Sequence, residues 1–150
     1  MKALTIWQPW AQLIANGAKS YETRSWPAPR TLIGQRIAIH AAKRWDRELH
    51  ATCLEDPFRS ALLGFSSPSD LPRGAVLATA RLLECSPTEA ISPSRAERLF
   101  GDWTPGRFAW LLVDVEVLKK PVPARGAQGL WDYQPSGARP GQTFLPGLGV

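Results

Sequence analysis

Gly17-Ala18-Lys19-Ser20-Tyr21-Glu22-Thr23-Arg24 is the stretch on which the reading of this chain turns. It follows Gln8-Pro9-Trp10-Ala11-Gln12-Leu13-Ile14-Ala15-Asn16, whose spacing predicts a short amphipathic helix. Pro9 falls in the first turn, where a missing N–H costs nothing. Trp10, Leu13 and Ile14 then share one face, and Gly17 can take the left-handed conformation that stops the helix. In the extended segment beyond it, alternation sets Glu22 and Arg24 on one side and Tyr21 and Thr23 on the other. A helix end that gathers Lys19, Glu22 and Arg24 suits a polar or anionic ligand. The competing reading of the same three residues is a structural salt bridge that holds the turn.

Working outward, residues 3–7 read as a strand feeding that helix. Ile37, Ile39 and Ala41 alternate with Arg36, Ala38 and His40, the period-2 pattern of a half-buried strand. His40 is thereby placed on the face away from Ile37 and Ile39, together with Arg36. Residues 45–55 have helical spacing, with Trp45, Leu49 and Cys53 on one stripe, and Pro57 ends them. Residues 57–65 suggest a second short helix, and residues 66–70 a loop. Gly74 opens an apolar run through Leu83. Ser94-Arg95-Ala96-Glu97 resembles a capping box for a brief helix to Phe100. Residues 107–119 read as the clearest strand, with Val113, Val115 and Val117 opposing Asp114 and Glu116, broken by Pro121 and Pro123. Short strands with helical excursions predict an α+β domain around a small curved sheet or barrel.

The 150 residues suffice for one domain with one core. We expect that domain to span residues 1–131, followed by a Pro/Gly-rich tail over 132–150 with little to bury. The 14 prolines and 12 glycines favour loops and short strands over long helices. Net charge is +5, and the excess is local: Arg24, Arg30, Arg36, Lys43, Arg44 and Arg47 face only Asp46 over that segment. It reads as a phosphate-facing patch or as a solvated basic surface. Seven tryptophans serve core filling, and at a rim they also suit stacking on bases. Cys53 and Cys85 are too few for a disulfide framework or a zinc site and read as buried thiols. No metal constellation and no phosphate-binding glycine loop is present, so neither metal nor cofactor is expected. No signal-like run or membrane-length segment occurs, which predicts a cytoplasmic location and no membrane partner.

Gly17, Lys19, Glu22 and Arg24 also fit the pattern G-x-K-x-x-E-x-R without departure. In this the chain resembles the ASCH domain family of the PUA-like superfamily. Leu4-Thr5-Ile6-Trp7-Gln8-Pro9-Trp10 looks like that family's opening strand and helix start. Further matches are Ile37-Ala38-Ile39-His40-Ala41-Ala42, Leu71-Pro72-Arg73-Gly74-Ala75-Val76, Gly106-Arg107-Phe108-Ala109-Trp110, and Val122-Pro123-Ala124-Arg125-Gly126-Ala127-Gln128-Gly129-Leu130-Trp131. The resemblance implies a small PUA-like β-barrel with flanking helices, and an RNA-associated function.

The leading reading is a module that binds RNA or another single-stranded nucleic acid. Its candidate contacts are Gln8, Lys19, Glu22, Arg24, Trp26, Arg36, His40, Lys43, Arg125, Gln128 and Trp131. Basic side chains supply affinity and aromatic ones contacts to unpaired bases. Gln8 serves equally as a helix cap, His40 and Trp131 equally as structural residues, and Arg107 and Trp110 project to opposite faces of their strand. The alternative is a small hydrolase acting on RNA or a modified nucleoside, with Lys19 and Glu22 catalytic. One branch that the chain resembles removes the acetyl group from N4-acetylcytidine, with a Thr where this chain has Glu22, and that departure counts against the same mechanism here. A third reading is an inert reader of a modified nucleoside, walled by Trp7, Trp10 or Trp26.

Overall fold

The computed structural model describes residues 1–135. Strand β1 (Lys2–Ile6) leads into helix α1 (Trp10–Ala15). Gln8 starts that helix, since its Oε1 accepts from Gln12 N–H at 2.9 Å while its Nε2 donates to Pro72 O at 2.7 Å. Gly17 ends it at φ +83°, a left-handed turn that strains any residue with a Cβ. Lys19 N–H returns to Leu13 O at 3.0 Å and starts the chain into β2 (Tyr21–Arg24).

After β2 come β3 (Arg36–Ala41), helices α2 (Arg47–Cys53) and α3 (Phe58–Ala61), and strand β4 (Ala75–Pro87). Helix α4 (Arg95–Phe100), strand β5 (Phe108–Pro123) and strand β6 (Leu130–Asp132) complete the described chain. The strands form one six-stranded sheet in the order β2-β5-β4-β3-β1-β6. β1 and β3 are parallel, with Leu4 opposite Ile39; the other pairs are antiparallel. Register shifts in the β4–β5 pairing bend the two long strands. The sheet curls into a half-barrel with the helices beside it, the α+β architecture that the sequence predicts.

α1 buries Ile14 with Leu4, Ile6, Ile37, Ile39, Leu82 and Trp110 in the main core. Leu13, one residue earlier, joins a second cluster with Cys53, Phe58, Leu62, Leu71 and Phe100, which ties α2, α3 and α4 to α1. A small third cluster of Ala3, Ala38, Val76 and Tyr133 covers the opposite sheet face. The alternation in β3 holds in direction, with Ile37 and Ile39 in the main core and Ala38 and His40 facing the other way. The strand is not half-buried, however: Ala38 and His40 are buried as well, because the third cluster and the β5–β6 connection cover that face. Cys53 is buried, which pushes its thiol up to about 11, whereas Cys85 is half-buried and accepts from Ala28 N–H at 3.3 Å.

Four expected boundaries are also corrected. β4 continues past Leu83 to Pro87 because Phe108–Leu111 of β5 pairs with that extension. β5 runs through Pro121 to Pro123 rather than breaking there. Ala124 N–H donates to Gly74 O at 3.1 Å, so by alternation the nitrogen of Pro123 points away from β4, where β2 no longer pairs. Pro121 lies in the irregular stretch between the Val122–Val76 and Val117–Ala78 pairs, outside the regular ladder. Within the expected loop, Pro68–Asp70 makes a 3-10 turn capped by Ser67. Packing continues past residue 131: Asp132 pairs with Lys2 at 2.9 Å, and Tyr133 is buried. Residues 136–150, most of the expected tail, lie outside the described residues.

Candidate functional site

The motif forms a compact ionic triad. Glu22 Oε1 lies 3.6 Å from Lys19 Nζ, and Glu22 Oε2 lies 3.2 Å from Arg24 Nε. Lys19 is only 2% exposed, and its amine also donates to Tyr21 O. Arg24 Nη2 donates to Thr5 O at 2.8 Å, which fixes the guanidinium against β1. Glu97 of α4 holds the turn from below: its carboxylate accepts from Ser20 N–H at 2.6 Å and from Tyr21 N–H at 3.3 Å. The salt-bridge and cleft readings of the motif therefore describe one arrangement. Lys19 is the buried anchor, and Arg24 is the cation that reaches an open surface.

That surface is a groove of two joined compartments, which share Thr5, Trp7, Arg24 and Trp26. The narrow one, about 600 Å³, holds Lys19, Glu22, Asp102 and Arg107 along its wall. Arg107 Nη2 donates to Thr23 O at 3.2 Å and its Nε lies 3.6 Å from Asp102 Oδ2. The wide one, about 1290 Å³, adds His40, Lys43, Arg125 and Gln128. Arg24, Lys43 and Arg125 line it without any carboxylate among the described residues. Lys43, Arg125 and Gln128 are exposed. Neither Lys43 nor Arg125 is held in an ion pair among the described residues.

His40 fixes the loop that carries Arg125 and Gln128. Its Nε2 lies 2.7 Å from Ala124 O, and a carbonyl only accepts, so Nε2 carries the proton. The neutral ring then offers Nδ1 as acceptor to the Thr5 hydroxyl at 3.1 Å, while Thr5 Oγ1 accepts from Trp131 Nε1–H at 2.9 Å. Burial pushes the His40 imidazole below its ordinary range, and the Ala124 carbonyl bond opposes that in part. Gly126 lies directly on this pair: a Cβ there would stand 2.6 Å from both His40 Cε1 and Thr5 Oγ1.

Eight of the eleven residues singled out in the sequence line this groove: Lys19, Glu22, Arg24, Trp26, His40, Lys43, Arg125 and Gln128. Three are elsewhere. Gln8 is fully buried as the cap of α1. Arg36 is turned to Thr79, to Asp114 O at 2.5 Å and to Glu116 at 3.8 Å. Trp131 lies edge-on to His40, ring centroids 5.3 Å apart, as part of the support beneath the groove. Arg107, Asp102 and Glu97 are not among the candidate contacts read from the sequence, because strand pairing of β2 with β5 and the docking of α4 bring them to the motif from far along the chain. The one local signal was the Ser94–Glu97 spacing. Ser94 Oγ does cap Glu97 N–H at 3.2 Å, but the Glu97 carboxylate is spent on β2 instead of closing the box.

A curled α+β sheet with a basic groove at the end of its first helix defines the class. The chain belongs to the ASCH domain family, whose model matches residues 4–122. The fold is similar to the crystal structure of an ASCH protein from Zymomonas mobilis, at TM-score 0.52 and 17% identity over 89% of this chain and 87% of that one. A tyrosine-to-phenylalanine mutant of that protein is similar at TM-score 0.51 and 16% identity over 89% of each chain. No curated protein matches the sequence. Family membership supports a general nucleic-acid-binding or hydrolase-like role. Among the described residues no helix is long and apolar enough to cross a membrane, and no group of three or more His, Cys, Asp or Glu side chains is placed to hold a metal ion.

Proposed function

We propose that this protein binds single-stranded nucleic acid, RNA foremost, in the wide compartment of the groove. The observation that carries the reading is its lining: Arg24, Lys43 and Arg125 with Trp7 and Trp26, and no carboxylate among the described residues. Lys43 and Arg125 neutralise phosphates and release their counterions. Arg24 is pre-placed by Glu22 and Thr5, and because Glu22 is shared with Lys19 the triad keeps one net positive charge facing the groove. Trp26 stands edge-on to buried Trp110 at 4.9 Å, which gives the groove a rigid aromatic wall for an unpaired base. Hydrolysis finds less support. Lys19 would have to take a proton or face a phosphate, and its amine is buried and bonded within the protein.

The test is fluorescence anisotropy with a labelled, mixed-sequence single-stranded RNA. Lys43→Ala combined with Arg125→Ala is expected to weaken binding by roughly tenfold or more at moderate salt. Equal binding by the double variant would overturn the groove as the interface. Chromatography of the same samples with N4-acetylcytidine added would reveal turnover, and turnover would move the protein to the hydrolase reading.

A further inference from the structure

One pair at the rim of the groove differs from the cations inside it. The Arg44 guanidinium carbon lies 4.0 Å from the centroid of the Trp7 ring, within the range of a cation–π contact. Asp46 Oδ2 accepts from the same guanidinium, from Nε at 3.3 Å and Nη2 at 3.2 Å. Asp46 is itself anchored, because its Oδ1 caps α2 by accepting Leu49 N–H at 2.8 Å. That amide, and then Arg44, holds the Asp46 carboxyl below its ordinary range. Despite these ties the pair stays open: Trp7 is 46% exposed and the Arg44 side chain 53%. Arg73 approaches Trp45 less closely, at 5.1 Å, and has no carboxylate partner among the described residues.

A guanidinium already matched by a carboxylate adds little net charge for phosphates. What it still offers is a planar, weakly hydrated surface backed by an aromatic ring, which suits stacking on a base. We propose that Trp7, Arg44 and Asp46 form a stacking platform for one unpaired base of a bound strand, beside the phosphate-contacting groove. This rests on the nucleic-acid reading above and extends its footprint beyond Lys43 and Arg125.

The test titrates the whole protein with a labelled single-stranded RNA over a salt series, with a strand of the same length carrying abasic positions as second probe. Arg44→Ala and Arg44→Lys are each expected to weaken binding of the intact strand about 5- to 10-fold. Neither should change the slope of log affinity against log salt, and neither should weaken binding of the abasic strand. An Arg44→Lys variant that binds like the unaltered protein would overturn the platform, because lysine keeps the charge and loses the plane. So would a slope shallower by about 0.7 in Arg44→Ala, the signature of one lost phosphate contact on a single strand. If the unaltered protein binds neither strand, the nucleic-acid reading falls and the platform with it; the other outcomes overturn the platform alone.

Discussion

Lys19 shows how one residue type can be read correctly by position and differently by role. Its place in the motif and the shared face of Glu22 and Arg24 were legible, because strand alternation is a strict geometric rule. Its burial was not, since Glu97 closes the turn from 77 and 76 residues further along by taking the backbone N–H groups of Ser20 and Tyr21. The buried amine makes Lys19 a stability residue. Lys19→Ala leaves Tyr21 O without that donor and Glu22 with Arg24 alone. Loss of one member of a buried ion pair costs about 3–5 kcal/mol; with Arg24 still in place we expect on the order of 2–3 kcal/mol, a melting temperature lower by roughly 10 °C. Differential scanning calorimetry checks this, and an unchanged melting temperature would contradict the anchoring role. Gln8 taught the opposite lesson: a neutral side chain beside a motif had two readings, and full burial with Gln12 N–H and Pro72 O as partners decides for the cap.

At the scale of elements, the hydrophobic periods located α1, β3 and α2 well, while the ends of β4 and β5 were misjudged. Proline breaks a strand only where its missing N–H is wanted, and which edge is free depends on a neighbour that sequence does not name. On the proposed reading, the connection between β5 and β6 is the element on which binding would depend most. It supplies Arg125 and Gln128, and it is held by His40 on Ala124 O and by the close approach of Gly126 to Thr5 and His40. Gly126 does not need a left-handed backbone, so Gly126→Ala tests crowding alone. A methyl group 2.6 Å from His40 Cε1 and Thr5 Oγ1 must move the loop. Overpacking of this kind costs about 1–3 kcal/mol, and we expect RNA affinity to fall several-fold through displaced Arg125. Melting curves beside anisotropy separate the two effects, and affinity equal to that of the unaltered protein would show that the loop need not rest on His40.

For the whole molecule, the half-barrel gathers cations that are scattered in sequence. Arg24 ends β2, Lys43 follows β3, and Arg125 follows β5, and only sheet order brings them to one groove. The local excess of positive charge between residues 24 and 47 pointed to this surface, yet it could not say that Arg36 would be spent on Thr79, Asp114 and Glu116. The central claim is that single-stranded RNA occupies this groove. Its most direct test is titration of ¹⁵N-labelled protein with a short single-stranded RNA, followed by two-dimensional NMR. We predict shifts concentrated on Lys43, on residues 124–129 and on the indole N–H groups of Trp7 and Trp26, with α2 and α3 beyond Leu49 unmoved. Shifts centred on α3, or none at all at saturating RNA, would contradict it.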